Sequence, residues 1–311
     1  MVNSSALSGN GTEPRENLYQ SKFVYIAGIA EMVVVILLIL CFCIFICFNA
    51  LILNVYFTTP HIQEHARYVL FVHMLITDIL YLIASISLFL AALYAVYITV
   101  PICYPILNLA ALTFRITACN LAIMALERYV AICYPLRHFQ FCNAHRANTS
   151  IILMWVVGVV PNVADFFAMQ STVEQYFFFR NVRCNLSILS VNSLQNTIRT
   201  LTFISTFTLV ALTIVFTYIK VMQVAKKVGS GTSNASKAGR TVMMHAIQLL
   251  LCMTAFISTV SETYLRDSPA ILLTLNFLLF TCLPRFLSPV IYGVRDEVFH
   301  KYIRKFCYFN L

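Results

Sequence analysis

Long apolar runs separated by short polar breaks dominate the chain, at about 26–57, 68–97, 101–133, 149–169, 198–224, 242–263 and 270–294. Each approaches or exceeds the ~20 residues that cross a bilayer as a helix. Strands of a membrane barrel would instead show ten-residue segments of strict alternation, and none occurs. Lipid offers no partners to unpaired backbone groups, so a run of this length predicts a helix. The pattern therefore predicts an all-α fold, a seven-transmembrane helix bundle. Residues 1–25 form an outer segment, 26–294 the seven-helix domain and 295–311 a cytosolic tail. Residues 1–23 are polar and the first run is too long for a signal peptide, so that run reads as an uncleaved anchor. Residues 228–239 (VGSGTSNASKAG) form a flexible linker between the fifth and sixth runs. In the tail, Val298, Phe299, Tyr302, Ile303 and Phe306 make an apolar stripe among Lys301, Arg304 and Lys305. That pattern suits a short helix lying on the inner membrane surface. Cys307 beside it is either a palmitoylation site or a plain free thiol.

Composition agrees. Of 311 residues, 60% are hydrophobic and 11% charged, against about a quarter charged in a soluble domain. No second soluble domain fits. The net charge of +9 would suit nucleic acid in a soluble protein, but its distribution points elsewhere. With the N-terminus outside, the cytosolic segments hold 13 Lys and Arg against 4 acids, a balance equal to the whole net charge. The outer segments hold 6 of each sign. This asymmetry follows the positive-inside rule and orients a multi-pass plasma-membrane protein with an extracellular N-terminus and no nucleic-acid partner. The sequons at Asn3, Asn10 and Asn185 fall outside, where glycosylation occurs, and those at Asn148 and Asn234 fall inside. The 11 cysteines contain no CxxC pair, so no zinc or redox framework and no metal site is expected. No HExxH, GxSxG or paired aspartates mark an enzyme, and no cofactor motif occurs.

Ionisable residues inside a membrane are costly and mark function or fixed packing. Asp78 lies mid-run in the second segment and Arg285 one turn before Pro289 in the seventh. They neutralise one another if those helices touch, either as a packing pair or as a polar hinge. Arg115 lies twelve residues after Cys103, about 18 Å deeper at helical rise. Either a neighbouring carbonyl or hydroxyl satisfies it, or it anchors an anionic ligand, since guanidinium binds carboxylate or sulfate in bidentate fashion. Asp78, Arg115 and Arg285 are too few polar groups for the pore of a transporter or channel, and the absence of internal repeats argues the same way.

The third run ends in Met124-Ala-Leu-Glu127-Arg128-Tyr129-Val-Ala-Ile-Cys133-Tyr-Pro135-Leu136. This resembles the MAxxRYVAICxPLxY signature of olfactory receptors in the rhodopsin-like G-protein-coupled receptor family. Further matches follow in order: Asn49; Asp78; Trp155; Tyr218-Ile-Lys220-Val; Lys237-Ala with Thr241 and His245; and Pro284, Leu287, Ser288-Pro289-Val-Ile-Tyr292-Gly-Val-Arg295. The resemblance runs from Asn49 to Arg295 and looks most like fish-type odorant receptors. Departures are Glu127 for Asp, Phe48 for Gly, Thr217 for Ser, Met253 for Trp and Ser288 for Asn.

The resemblance implies a receptor for a small-molecule odorant that activates a heterotrimeric G protein of the olfactory stimulatory type, and Arg115 adds the option of an anionic odorant. It implies a disulfide between Cys103 and Cys184. Glu127 would hold Arg128 at rest, and Tyr129, Tyr218, His245, Pro289 and Tyr292 would complete the switch. The second-helix carboxylate of related receptors often holds sodium. The ligand pocket of related receptors would here be lined by Ala111, Phe114, Arg115, Thr202, Phe203, Thr206, Phe256, Ile257, Val260 and Phe277. A non-olfactory receptor for a lipid or peptide is the alternative within the family.

Overall fold

The computed structural model describes residues 13–227 except 187, positions 243, 247, 250, 251, 254 and 261, and residues 270–293. Among them, five helices are long and apolar enough to cross a membrane: Gly28–Thr58, Ala66–Leu93, Val100–Cys133, Ala144–Gln170 and Ser193–Val224. The described positions of the sixth run are all helical. The seventh consists of Ala270–Phe277, a π-helical turn Leu278–Cys282 and Leu283–Gly293. The architecture is the all-α seven-helix bundle. The expected surface helix at 295–311 lies outside the described residues.

Helix ends differ from the apolar boundaries because local chemistry sets them. The first helix is already formed at Glu13, well before the apolar run. The second stops at Leu93, not 97, because Ala95 turns the chain at a left-handed φ of 52°, a conformation uncommon outside glycine. Tyr97–Thr99 (β1) then pairs antiparallel with Asn181–Arg183 (β2) of the second outer loop. The third span starts with Pro101 in its first turn, where the missing N–H costs nothing. The fourth starts at Ala144 because Asn143 Oδ1 accepts the Arg146 N–H at 2.9 Å, a side-chain N-cap. Asn192 Oδ1 does the same for Gln195 N–H at 2.7 Å before the fifth. In the connections between the first and second spans and between the third and fourth, Pro60–Gln63 and Pro135–Phe141 form short helices, and a β-bridge joins His65 to Asn143.

The core divides along the membrane normal. Toward the end that carries these short helices, Leu70, Met74 and Leu75 pack with Leu121, Ala125, Val210 and Ile214. In the middle, Leu38 and Phe45 meet Tyr81, Leu82, Phe277 and Cys282. At the outer end, Val100, Cys103 and Tyr104 pack with Met169, Val182 and Leu189. Gly158 lets the third and fourth spans approach closely, since a Cβ there would stand 2.9 Å from Leu112 Cδ1. The π turn has a local cause. Pro284 supplies no N–H and crowds the carbonyl four residues back, that of Phe280. Thr254 Oγ1 of the sixth run donates to that carbonyl at 3.3 Å.

Candidate functional site

Two spans far apart in sequence bring their charges together in the bundle centre. Asp78 and Arg285 are fully buried, and Arg285 Nη1 donates to Asp78 Oδ1. Thr117 Oγ1 donates to the same oxygen at 3.2 Å, and lies 3.2 Å from Thr77 Oγ1. The guanidinium carbon stands 4.5 Å from the Tyr81 ring centre and 5.5 Å from that of Phe114, within cation–π range. The second, third and seventh spans thus meet at one charge pair. Nearer the end that carries the short helices, Trp155 Nε1 donates to His73 Nε2 at 3.0 Å, which requires that nitrogen to be unprotonated.

At the C-terminal end of the third span, Glu127 serves two partners. Its Oε2 lies 3.5 Å from Arg128 Nε and its Oε1 3.2 Å from His138 Nε2. The Glu127 side chain is buried, and those of Arg128 and His138 are about a fifth exposed. The Tyr129 ring packs edge-on against Tyr134 and Phe216, both at 5.8 Å. Tyr218 is half-buried on the fifth span, and Pro289 is buried in the seventh. Tyr292 lies in the last helical stretch of the seventh, and His245 falls outside the described residues. Sequence reasoning passed over Leu136. It is 95% exposed in the short helix Pro135–Phe141. Cys142, directly after that helix, has its thiol pushed up to about 11 by burial and by the Glu127 carboxylate, with Arg146 pulling the other way.

The outer half carries a second charge pair. Asp165, buried in the fourth span, accepts Arg199 Nε at 2.6 Å and Nη2 at 2.9 Å in a bidentate fork. Tyr104 donates its hydroxyl at 2.8 Å and Gln195 its amide at 3.4 Å. Charge counting placed Asp165 and Arg199 in outer segments, where they merely cancelled. The available signal was Asp165 between Ala164 and Phe166, an acid flanked by apolar residues. Next to this cluster, Cys103 and Cys184 form a disulfide with Cα atoms 5.6 Å apart. It fixes the second outer loop to the third span alongside β1 and β2. Asn185 follows directly, its Oδ1 accepting Ile188 N–H at 2.9 Å. Asn3 and Asn10 lie outside the described residues.

The expected pocket residues do not all share one lining. Phe114 packs between Tyr81, at 5.7 Å, and Phe207, at 5.4 Å, and Phe207 meets Phe203 at 4.6 Å. Ala111 is exposed, while Thr202 and Thr206 are half-buried. Phe277 is 4% exposed and stacks on Phe89 at 4.3 Å, so it packs between the second and seventh spans. Arg115 Nη2 donates to Asn162 Oδ1 at 2.5 Å and to Gly158 O at 3.2 Å, both on the fourth span. Phe256, Ile257 and Val260 lie outside the described residues.

A profile for the seven-transmembrane receptors of the rhodopsin family matches residues 48–292. The chain is 27% identical over 247 residues to the zebrafish (Danio rerio) odorant receptor 131-2, covering 78% of this chain and 76% of that protein. It is 26% identical over 189 residues to the human (Homo sapiens) olfactory receptor 14A16, covering 57% and 58%. A segment of 55 residues is 40% identical to a violet-sensitive opsin of Xenopus laevis, covering 18% and 16%.

Proposed function

Because this chain belongs to the rhodopsin family of seven-transmembrane receptors, we propose that it is an odorant receptor that binds a small molecule between its spans and activates a heterotrimeric G protein. The observation that carries this reading is the match, across 78% of the chain, to a protein named as an odorant receptor. In this reading the N-terminus is extracellular and glycosylated at Asn3 and Asn10, with Asn185 glycosylated on the second outer loop. Residues 295–311 form the cytosolic tail. The G protein is of the olfactory stimulatory type.

The cytosolic geometry supports the coupling step. Glu127 lies beside both Arg128 and His138, which restrains Arg128 at rest. Binding that favours a minor conformation shifts the population toward it by the difference in affinity. In that conformation Arg128 leaves Glu127 and meets the G protein, with Leu136 as the apolar contact next to it. Tyr129, Tyr218, His245, Pro289 and Tyr292 repack around the opening. In this reading the pocket draws its lining from Ala111, Phe114, Arg115, Thr202, Phe203 and Thr206, together with Phe256, Ile257, Val260 and Phe277 as related receptors imply. A mostly apolar lining with few polar groups is usual for a small-molecule site.

The test is a cAMP reporter screen of cells expressing the full chain with acidic, steroidal and amino-acid-derived odorants. Responses are expected from at least one class, and Arg128→Ala is expected to cut them by about tenfold or more at unchanged surface staining. Silence across the screen with normal surface expression, or an undiminished response in Arg128→Ala, would overturn the reading.

A further inference from the structure

We infer that Arg115 is the receptor site for a singly charged anionic head group, a carboxylate or sulfate carried on a small apolar body. The inference rests on the receptor reading for the location of the pocket, but its binding step stands apart from signalling. Three other guanidiniums of the described spans each have a carboxylate: Arg285 with Asp78, Arg199 with Asp165, and Arg128 with Glu127. Arg115 differs. Its described hydrogen-bond acceptors are the Gly158 carbonyl and the Asn162 amide oxygen, both neutral. Asp165, the acid whose field reaches Arg115, is already held by the Arg199 fork. Among the described residues, then, no carboxylate is left over to pair with Arg115. A guanidinium in that position is expensive in a membrane and marks a ligand or ion path.

The cradle is built, not incidental. Gly158 has no side chain, so its backbone comes within reach of Arg115 where a Cβ would collide with Leu112. Asn162 is oriented by its own Nδ2, which donates to Asn108 O at 3.3 Å, and this turns its oxygen toward Arg115. Both contacts hold Nη2. Arg115 Nε is buried and has no partner. Nη2 spends both of its hydrogens on Gly158 and Asn162, so an anion meets the guanidinium through Nε or Nη1 by charge-assisted hydrogen bonds. One turn away on the same helix, Ala111 is exposed and offers a small apolar surface to an apolar body. One guanidinium with no carboxylate left to pair it calls for one negative charge, so a monoanion leaves the site neutral.

The experiment uses the purified full chain in phosphatidylcholine nanodiscs. Thermal midpoints are followed with octanoate and octyl sulfate against octanamide and octanol, and the same probes are applied to cells carrying a cAMP reporter. Anything that binds the folded state alone raises the midpoint with its concentration. The anions are expected to do so at concentrations about tenfold or more below their neutral partners, and Arg115→Gln is expected to erase that preference. Asn162→Asp, nearly isosteric, places a carboxylate against the guanidinium. It is expected to raise the unliganded midpoint and to erase the preference as well, which keeps the test decisive if Arg115→Gln does not fold. Equal shifts for charged and neutral probes, no shift from either, or an anion preference that survives in the variants would overturn the inference. Anion binding without any cAMP response would count against G-protein coupling and leave the site standing. A cAMP response to neutral probes alone would remove the site and leave the receptor reading intact.

Discussion

Cys142 illustrates how one side chain's chemistry follows from its neighbours. The residue sits half-buried after the short helix Pro135–Phe141, its thiol pushed up to about 11 by burial and by Glu127. Only the thiolate is a nucleophile, so at neutral pH this cysteine is close to inert. The sign follows from the raised value: the fold favours the neutral thiol. That preference is fully present below the ordinary thiol range and is lost as pH rises through about 11. Alkylation of the Cys142 peptide by iodoacetamide, followed by mass spectrometry, is therefore expected to lag an unstructured cysteine peptide by about tenfold or more near pH 8 and to keep rising beyond pH 10. Glu127→Gln is expected to speed it. A labelling curve that levels off near pH 9 would contradict the account. From sequence, Cys142 was one thiol among eleven. What singles it out is the return of the loop onto the third span.

Among elements, the outer ends of the third, fourth and fifth spans are tied by Asp165. Tyr104, Gln195 and Arg199 all donate to it. Removing one member of a buried, hydrogen-bonded ion pair leaves an uncompensated charge and costs about 3–5 kcal/mol. Asp165→Asn and Arg199→Gln are each expected to lower surface expression and thermal midpoint sharply, and the double variant is expected to lose less than the two losses added. Neighbours in one network are strongly non-additive. Additive losses would show that the two side chains act separately. The seventh span shows element-level logic of another kind. Pro284 was visible as a proline in an apolar run, but the π turn before it and the hydrogen bond from Thr254 to the Phe280 carbonyl belong to the folded bundle alone.

Across the whole molecule, the Asp78–Arg285 pair joins residues 207 positions apart and closes the second span on the seventh. Both side chains are fully buried, and Tyr81 and Phe114 flank the guanidinium. Asp78→Asn or Arg285→Gln alone leaves a buried charge and is expected to cut surface expression several-fold, by the same ~3–5 kcal/mol penalty. The double variant is expected to recover part of it because no lone charge remains. With the carboxylate already taken by a fixed cation, ligand potency is expected to be unchanged when sodium is varied. A sodium-dependent shift in potency would show that a mobile cation still reaches Asp78.

The sequence by itself determined the solvent and the class of fold. Seven apolar runs of spanning length admit helices alone, because backbone groups in lipid must be satisfied within the segment. The charge asymmetry supplied an orientation, and the ordered motif from Met124 to Leu136 pointed to the family that the profile match then identified. The charges at Asp78, Arg115 and Arg285 were visible because any ionisable group stands out against an apolar run. The sequence offered Asp78 and Arg285 to one another only on the condition that their helices touch, and it could not name the partners of Arg115, since pairing depends on which helices touch and how they are rotated. Only the tertiary structure decided that Asp165 meets Arg199, that Phe277 stacks on Phe89, and that Arg115 turns toward Gly158 and Asn162. Those contacts are set by helix rotation and close approach across tens of residues. A single chain's pattern of apolar and polar positions carries a helix's period, but not the identity of its neighbour.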